Sequence, residues 1–233
     1  MPEKPLFRLA PSDFAFLWKE CKRCFYLKGH GLLYRPRAPF PSIFNKIDLG
    51  MKEFFKGKRT ESVLPDMPLG EFLCEEDDAW VESEIFDIDC LVLNDDQTYS
   101  IIDFKTSEIS RYLSLYSRQL HAYGMALEFP SKKSEIMQGV VKHMGLVCYQ
   151  PQSFGFSKSG VKKSPENKKG TPATASLTGI CQYHEVEKNF PEFFLYLTEV
   201  VEVLEGEIPD PDPDCSHCNY LRQAERDGYS KLS

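Results

Sequence analysis

Residues 82–106, ESEIFDIDCLVLNDDQTYSIIDFKT, decide the reading of the fold. Two runs rich in Ile, Val, Leu, Phe and Tyr, 82–93 and 98–106, flank the polar tetrad Asn94-Asp95-Asp96-Gln97, the pattern of a β-hairpin. Side chains alternate across a strand, so Tyr99, Ile101, Asp103 and Lys105 share one face, and Ser100, Ile102 and Phe104 the other. In the first run Ile85, Asp87, Asp89, Leu91 and Leu93 lie on one face, and Phe86, Ile88, Cys90 and Val92 on the other. Both faces are largely apolar, as expected of strands covered on both sides. A turn centred on Asp96 sets Asp89 opposite Asp103, and one centred on Asp95 sets Asp87 there. Either way two carboxylates meet, and they repel and raise one pKa unless a cation neutralises them.

Two strand-borne carboxylates, a backbone carbonyl and waters form an oxygen-rich set suited to Mg²⁺ or Mn²⁺. Such an ion lowers the pKa of a bound water and neutralises a phosphodiester under attack. Lys105, facing the same way, is placed to orient that water or to stabilise the oxyanion. Taken alone, an Asp-x-Lys at a strand end reads as a surface ion pair. The preceding strand and the helix that follows change that weighting.

Outward from the hairpin, Ser12 is a candidate cap for a helix with Phe14, Leu17, Trp18, Cys21 and Phe25 on one stripe, ending near residues 29–31. A Pro-rich connector leads to a second helix over 42–55, with Ile43, Ile47, Met51 and Phe54 on one face. After the hairpin a helix is expected over 111–128, then strands over 140–150 and 175–186, then a helix over 191–205. Between those two strands, 155–175 is polar, carries five lysines, and reads as a flexible loop. Together these predict a single α/β domain over 1–233: a basic helical part over 1–60, a core over 82–150, and a cysteine-containing tail over 210–233.

The net charge of −7 argues against a protein that sticks to nucleic acid over its whole surface. Its distribution is uneven: residues 1–60 carry thirteen Lys and Arg against five acids, while 61–100 carry thirteen acids and no Lys or Arg. The bland reading of such blocks is solvated surface; the sharper one is a basic arm beside an acidic, cation-seeking centre. No stretch approaches the ~20 apolar residues that span a bilayer, and the first residues lack a signal-peptide core, so a cytoplasmic protein is expected. Its eight cysteines are then expected as thiols or metal ligands rather than disulfides. Cys74, Cys90, Cys148 and Cys181 read as buried small apolar residues. Cys21-Lys-Arg-Cys24 and Cys215-Ser-His-Cys218 are two C-x-x-C pairs at opposite ends of the chain, a set typical of structural Zn²⁺ or an iron–sulfur cluster.

In the expected helix over 111–128, Tyr116, Gln119, Leu120, Tyr123 and Leu127 follow a helical stripe, which puts the amide of Gln119 and the phenol of Tyr123 on the packed face. With Asp89, the run IIDFKT holding Asp103 and Lys105, and QLHAY holding Gln119 and Tyr123, the sequence resembles the RecB-like branch of the PD-(D/E)XK nuclease superfamily. The order and spacing match, and the likeness extends to both cysteine pairs. The resemblance implies a restriction-endonuclease-like mixed sheet flanked by helices, and metal-dependent hydrolysis of nucleic-acid phosphodiesters, DNA rather than RNA, exonuclease-like, in repair, recombination, phage or CRISPR settings. It implies Asp89 and Asp103 as ligands of Mg²⁺ or Mn²⁺, Lys105 as the catalytic lysine, and Gln119 and Tyr123 beside the site. It selects Asp89 over Asp87. It also implies an iron–sulfur cluster (4Fe-4S) on Cys21, Cys24, Cys215 and Cys218, with Cys24 replacing a third C-terminal cysteine; this two-plus-two arrangement suits zinc equally.

The chain departs from the family at Phe86, where a Gly is usual, and on the helix over 42–55, where Gly50 corresponds to a family Gly but the following His is missing. Glu53 is the candidate to supply that ligand. A rival reading is a weakly active or inactive nuclease fold serving as a nucleic-acid-binding or scaffold module. A purely structural zinc protein leaves Asp89, Asp103 and Lys105 unexplained.

Overall fold

A computed structural model describes residues 7–33, 35, 41–74, 88–106, 113–130, 139–157 and 174–228. Asp13–Leu17 form a π-helical turn that runs into α1 (Trp18–Glu20), breaks at Cys21 and restarts as α2 (Lys22–Gly29). The single helix expected from a Ser12 cap is thus divided. Ser12 has helical dihedrals and makes no capping bond. Asp13 ties this entry down instead: its carboxylate accepts the Ala10 amide at 2.7 Å and pairs with Lys28 at 2.5 Å. Cys21, at φ −166° and ψ 113°, is extended, and so serves as the N-cap position of α2.

α3 spans Ser42–Phe55, the expected bounds, but is rotated from the expected face. Met51 and Phe55 are buried, whereas Ile43 and Phe54 are half exposed. The short α4 (Thr60–Val63) leads to β1 (Gly70–Leu73), a strand that the sequence reading missed because four residues carry no legible alternation. β2 (Cys90–Asn94) and β3 (Tyr99–Lys105) form the hairpin, α5 spans Leu113–Glu128, and β4 (Val141–Ser157), β5 (Thr174–Val186), α6 (Phe190–Glu205) and α7 (Ser216–Arg226) complete the order. Asp87, Phe86 and the rest of 75–87 lie outside the described residues.

The five strands form one mixed sheet in the order β1-β2-β3-β4-β5. Neighbours are antiparallel except β3 and β4, which run parallel. A parallel pair needs a long crossover, and α5 lies in it. On one face Phe72, Val92, Ile102, Phe104 and Val147 pack with Met51 and Phe55 of α3. On the other, Leu91, Ile101, Leu146 and Cys148 pack with Leu120, Tyr123 and Leu127 of α5. A third core, outside α5, joins Leu17, Trp18 and Phe25 to Phe193, Tyr196, Val200 and Leu204 of α6. The apolar character of both hairpin faces follows from this layering.

β4 and β5 run further than expected, pairing out to Ser157↔Thr174 with a register shift between Pro151 and Ser153. A proline has no N–H to donate to the ladder, which accounts for the irregularity there. The loop expected over 155–175 therefore contributes strand at both ends, and 158–173 lie outside the described residues. Gly145 in β4 sits beneath the Tyr183 ring, where a Cβ would come within 2.3 Å of a ring carbon.

Cys74 and Cys90, expected as free thiols, are joined by a disulfide with Cα atoms 4.6 Å apart. The reason is pairing: Leu73↔Leu91 is the last partner pair of β1 and β2, and the next facing residues are the two cysteines. The bridge closes a sequence separation of 16, and loop-closure entropy assigns such a bridge about 3 kcal/mol. Reduction by dithiothreitol is expected to lower the urea-unfolding free energy by about that amount. The Cys74→Ser/Cys90→Ser double variant should match the reduced protein; equal stability of native and double variant would remove the constraint from the account. Among the described residues no helix is long and apolar enough to cross a membrane.

Candidate functional site

The hairpin register runs from Leu93↔Tyr99 to Cys90↔Ile102. One step further sets Asp89 across from Asp103, the alternative with the turn centred on Asp96. The Asp89 Oδ2 accepts the backbone N–H of Phe104 at 3.1 Å, which fixes this carboxylate at the end of the strand pair. Asp103 is 1% exposed, and its Oδ2 is ion-paired with the Lys105 ammonium. Burial, reinforced by the nearby Asp89 charge, pushes the Asp103 carboxyl well above the usual carboxylate range, against the pull of Lys105. Burial acts to lower the Lys105 ammonium, but Asp103 and then Asp89 outweigh it, so its pKa lies above the ordinary lysine value.

Helix α3 brings Asp48 and Lys52, one turn apart, to this point. The Lys52 Nζ lies 3.3 Å from the Asp48 Oδ2 and 3.4 Å from the Asp89 Oδ1, so one ammonium bridges two carboxylates. Burial and the Asp89 charge raise the Asp48 carboxyl, while Lys52 and Lys105 oppose. Burial would lower Lys52, and Asp89 and Asp48 more than compensate. Glu53, the residue expected to complete the ligand set, is exposed, and so is Gly50. The rotation of α3 that buries Met51 and Phe55 is what turns Asp48 and Lys52 inward. The legible signal was the i,i+4 spacing of an acid and a base on that helix.

From the other side, α5 places the Tyr116 ring 5.0 Å below the Lys105 ammonium. Gln119 and Tyr123 are buried on the same helix, and the Gln119 Nε2 donates to the Tyr123 hydroxyl at 3.0 Å. Cys148, paired with Lys105 in register, is a buried thiol that burial, and secondarily Asp103, pushes up to about 12. Asp48, Asp89, Asp103, Lys52 and Lys105 thus form one cluster of opposite charges at the sheet end, between α3 and α5.

The four paired cysteines come together as well, on the far side of α5. The Sγ distances are 3.8 Å for Cys21–Cys218, 3.7 Å for Cys24–Cys215 and 3.6 Å for Cys24–Cys218. Among the described residues this is the group of three or more His, Cys, Asp or Glu whose ligand atoms all lie within 4.8 Å of one another, and all four are buried. It could hold a metal ion. Without one, burial and the neighbouring sulfurs push Cys24 far up, and burial pushes Cys218 up to about 11 against the pull of its contact with Cys24. Burial would raise Cys21 too, but the backbone amides of Asp212 and Cys24 hold it below the ordinary thiol value.

A cavity of about 660 Å³ lies at neither place but between α5 and α6, lined in part by Ser117, Arg118, His121, Asn189 and Glu192. His121 there bonds the Ser117 carbonyl through Nδ1 at 2.7 Å and accepts the Asn189 N–H on Nε2 at 2.8 Å. An Nε2 that accepts carries no proton, so the folded ring is neutral. Burial lowers its pKa, with Lys188 adding to that and the Ser117 carbonyl and Glu192 opposing. The unfolded ring titrates near ~6.5. Its stabilisation is therefore fully present above that pH and is lost as pH falls through the lower folded value. The urea midpoint is expected to fall between pH 7.5 and pH 5 more steeply in the native protein than in His121→Gln; parallel curves would refute this assignment.

No protein-family model, curated protein or solved structure matches this chain.

Proposed function

We propose that the protein is a metal-dependent nuclease that hydrolyses phosphodiester bonds in DNA, in an exonuclease-like manner. The observation that carries this reading is the register that sets Asp89 across from the buried Asp103, with Lys105 ion-paired beside it. A mixed sheet with helices on both faces is compatible with the restriction-endonuclease-like core that the sequence resemblance implies.

The donors to a hard divalent ion would be the carboxylates of Asp103, Asp89 and Asp48, which would have to draw together, because their oxygens do not all lie within 4.8 Å of one another in this structure. Mg²⁺ or Mn²⁺ bound by these three would activate water and neutralise phosphate charge. Lys105 is the donor that meets the negative charge growing on the phosphoryl oxygens. Its aim is set by Asp103 on one side and the Tyr116 ring on the other. Gln119 and Tyr123 hold the helix face beside it through their mutual bond. The basic residues of the N-terminal part are the candidates for contact with the DNA backbone, and such contact weakens with salt.

The test is incubation of the full chain with linear and circular, single- and double-stranded DNA, with and without Mn²⁺ or Mg²⁺. Metal-dependent loss of linear DNA is expected. Absence of cleavage of every substrate under reducing, oxygen-free conditions would sink the reading.

A second reading, an inactive scaffold, is favoured by one feature: the Lys52 ammonium stands between Asp48 and Asp89 where a divalent ion would have to bind. If it merely competes with the ion, Lys52→Met should lower the Mn²⁺ concentration for half-maximal cleavage by about three- to tenfold, the worth of one partly exposed ion pair. Loss of cleavage with an unchanged metal requirement would place Lys52 in the catalytic machinery instead.

A further inference from the structure

We infer that the four cysteines bind one tetrahedrally coordinated ion, zinc, and not the iron–sulfur cluster that the sequence resemblance implies. A Zn–S bond of about 2.3 Å fixes the edges of a sulfur tetrahedron at about 3.8 Å. Three of the four sulfur distances between the N-terminal and C-terminal pairs are 3.6, 3.7 and 3.8 Å, and the fourth is within 4.8 Å. In a 4Fe-4S cluster each thiolate holds a different iron, with sulfides between, so the thiolates stand well apart. In a two-iron cluster the two pairs would be separated in the same way. A set with every sulfur within 4.8 Å of every other encloses one ion and leaves no room for bridging sulfide.

The supporting structure is built for this. Each C-x-x-C starts at an N-cap, Cys21 for α2 and Cys215 for α7, and places its second cysteine in the first turn. Two helix N-termini therefore converge on the sulfurs, and the positive ends of their dipoles offset thiolate charge. The Cys218 amide points at the Cys215 Sγ at 3.5 Å. Arg35 lies close enough for the sulfurs of Cys24 and Cys215 to act on its charge, while Glu20 holds its guanidinium at 2.9 Å. Four protein ligands leave no open coordination position, so the ion is structural rather than catalytic, and it is separate from the carboxylate cluster.

Its mechanical role follows from what else holds α7. Cys218 is the one buried residue of that helix. The ion is therefore the principal attachment of α7 to the core formed by Trp18, Phe25 and Tyr196.

The experiment measures metal, acid-labile sulfide and hydrogen exchange on the full chain purified without oxygen. One zinc per chain, no sulfide, and loss of amide protection in α7 before the sheet when a chelator is added are expected. Because Cys215→Ser could fail to fold, the native chain is also reconstituted with Co²⁺, which should give the intense visible bands of a tetrahedral thiolate site. Two or four irons with matching sulfide would overturn the inference. So would a chain that takes up neither Zn²⁺ nor Co²⁺ in stoichiometric amount, or an α7 equally protected with and without chelator.

Discussion

Lys105→Ala is expected to slow metal-dependent DNA cleavage by about 10²- to 10³-fold, the usual cost of removing one donor aimed at a developing oxyanion. That corresponds to about 3–4 kcal/mol of transition-state stabilisation. The size of the effect follows from the surroundings. Lys105 lies at the mouth of a buried strand end, ion-paired to Asp103 and seated over Tyr116, so its ammonium is aimed before substrate arrives. Asp103→Asn should give a loss at least as large, because it removes the charge of a proposed metal ligand and the partner of Lys105 together. The two losses should not add, since both residues serve one step. Single-turnover rates at saturating Mn²⁺ provide the measurement, with circular dichroism to establish folding. Native-like rates in either folded variant would show that cleavage, if present, is carried by other residues or by a contaminant.

The other large effect is expected in the N-terminal core. Phe25 is fully buried, with the Trp18 and Phe14 ring centroids 5.0 and 6.0 Å away, and it follows Cys24 directly. Phe25→Ala is expected to cost about 3–5 kcal/mol in urea unfolding, the range for emptying a fully buried aromatic site. Leu195→Ala, on the exposed side of α6 at 72% exposure, serves as the control. It should change stability by less than about 0.5 kcal/mol. A cost below about 1 kcal/mol for Phe25→Ala would mean that the helical layer outside α5 unfolds independently of the sheet, and the idea of one cooperative core would fail.

The candidate site was legible in unequal parts. Asp103 and Lys105 could be placed on one strand face because alternation is local. Gln119 and Tyr123 could be placed on one face of α5 by the same kind of local rule, with a period of 3.6 in place of 2. Asp48 and Lys52 went unread, because nothing near them in the chain states which way α3 turns. The expected stripe of Ile43, Ile47, Met51 and Phe54 was a fair helical pattern, yet packing selected Met51 with Phe55, a rotation of part of a turn. That rotation leaves Glu53 exposed and brings Asp48 and Lys52 to Asp89. The disulfide was missed for a related reason: Cys74 faces Cys90 because β1 exists, and β1 is held by its pairing with β2.

By itself the sequence determined where most helices and strands lie, that α3, α5 and α6 are helical and the hairpin is a hairpin, and which residue types could carry metal chemistry. These are properties of near neighbours: hydrophobic periodicity, caps and turn residues act within a few positions along the chain. Local alternation left Asp87 and Asp89 both open opposite Asp103, the family resemblance selected Asp89, and the hairpin register sets it there. The tertiary structure alone decided which residues of α3 join them, and how closely the sulfurs of Cys21 and Cys24 approach those of Cys215 and Cys218. A one-residue slip in register turns every side chain of a strand to the opposite face, so burial of the whole sheet, rather than any local preference, chooses Asp89. The sulfur distances depend on closing nearly the full length of the chain, which no periodicity in the sequence encodes.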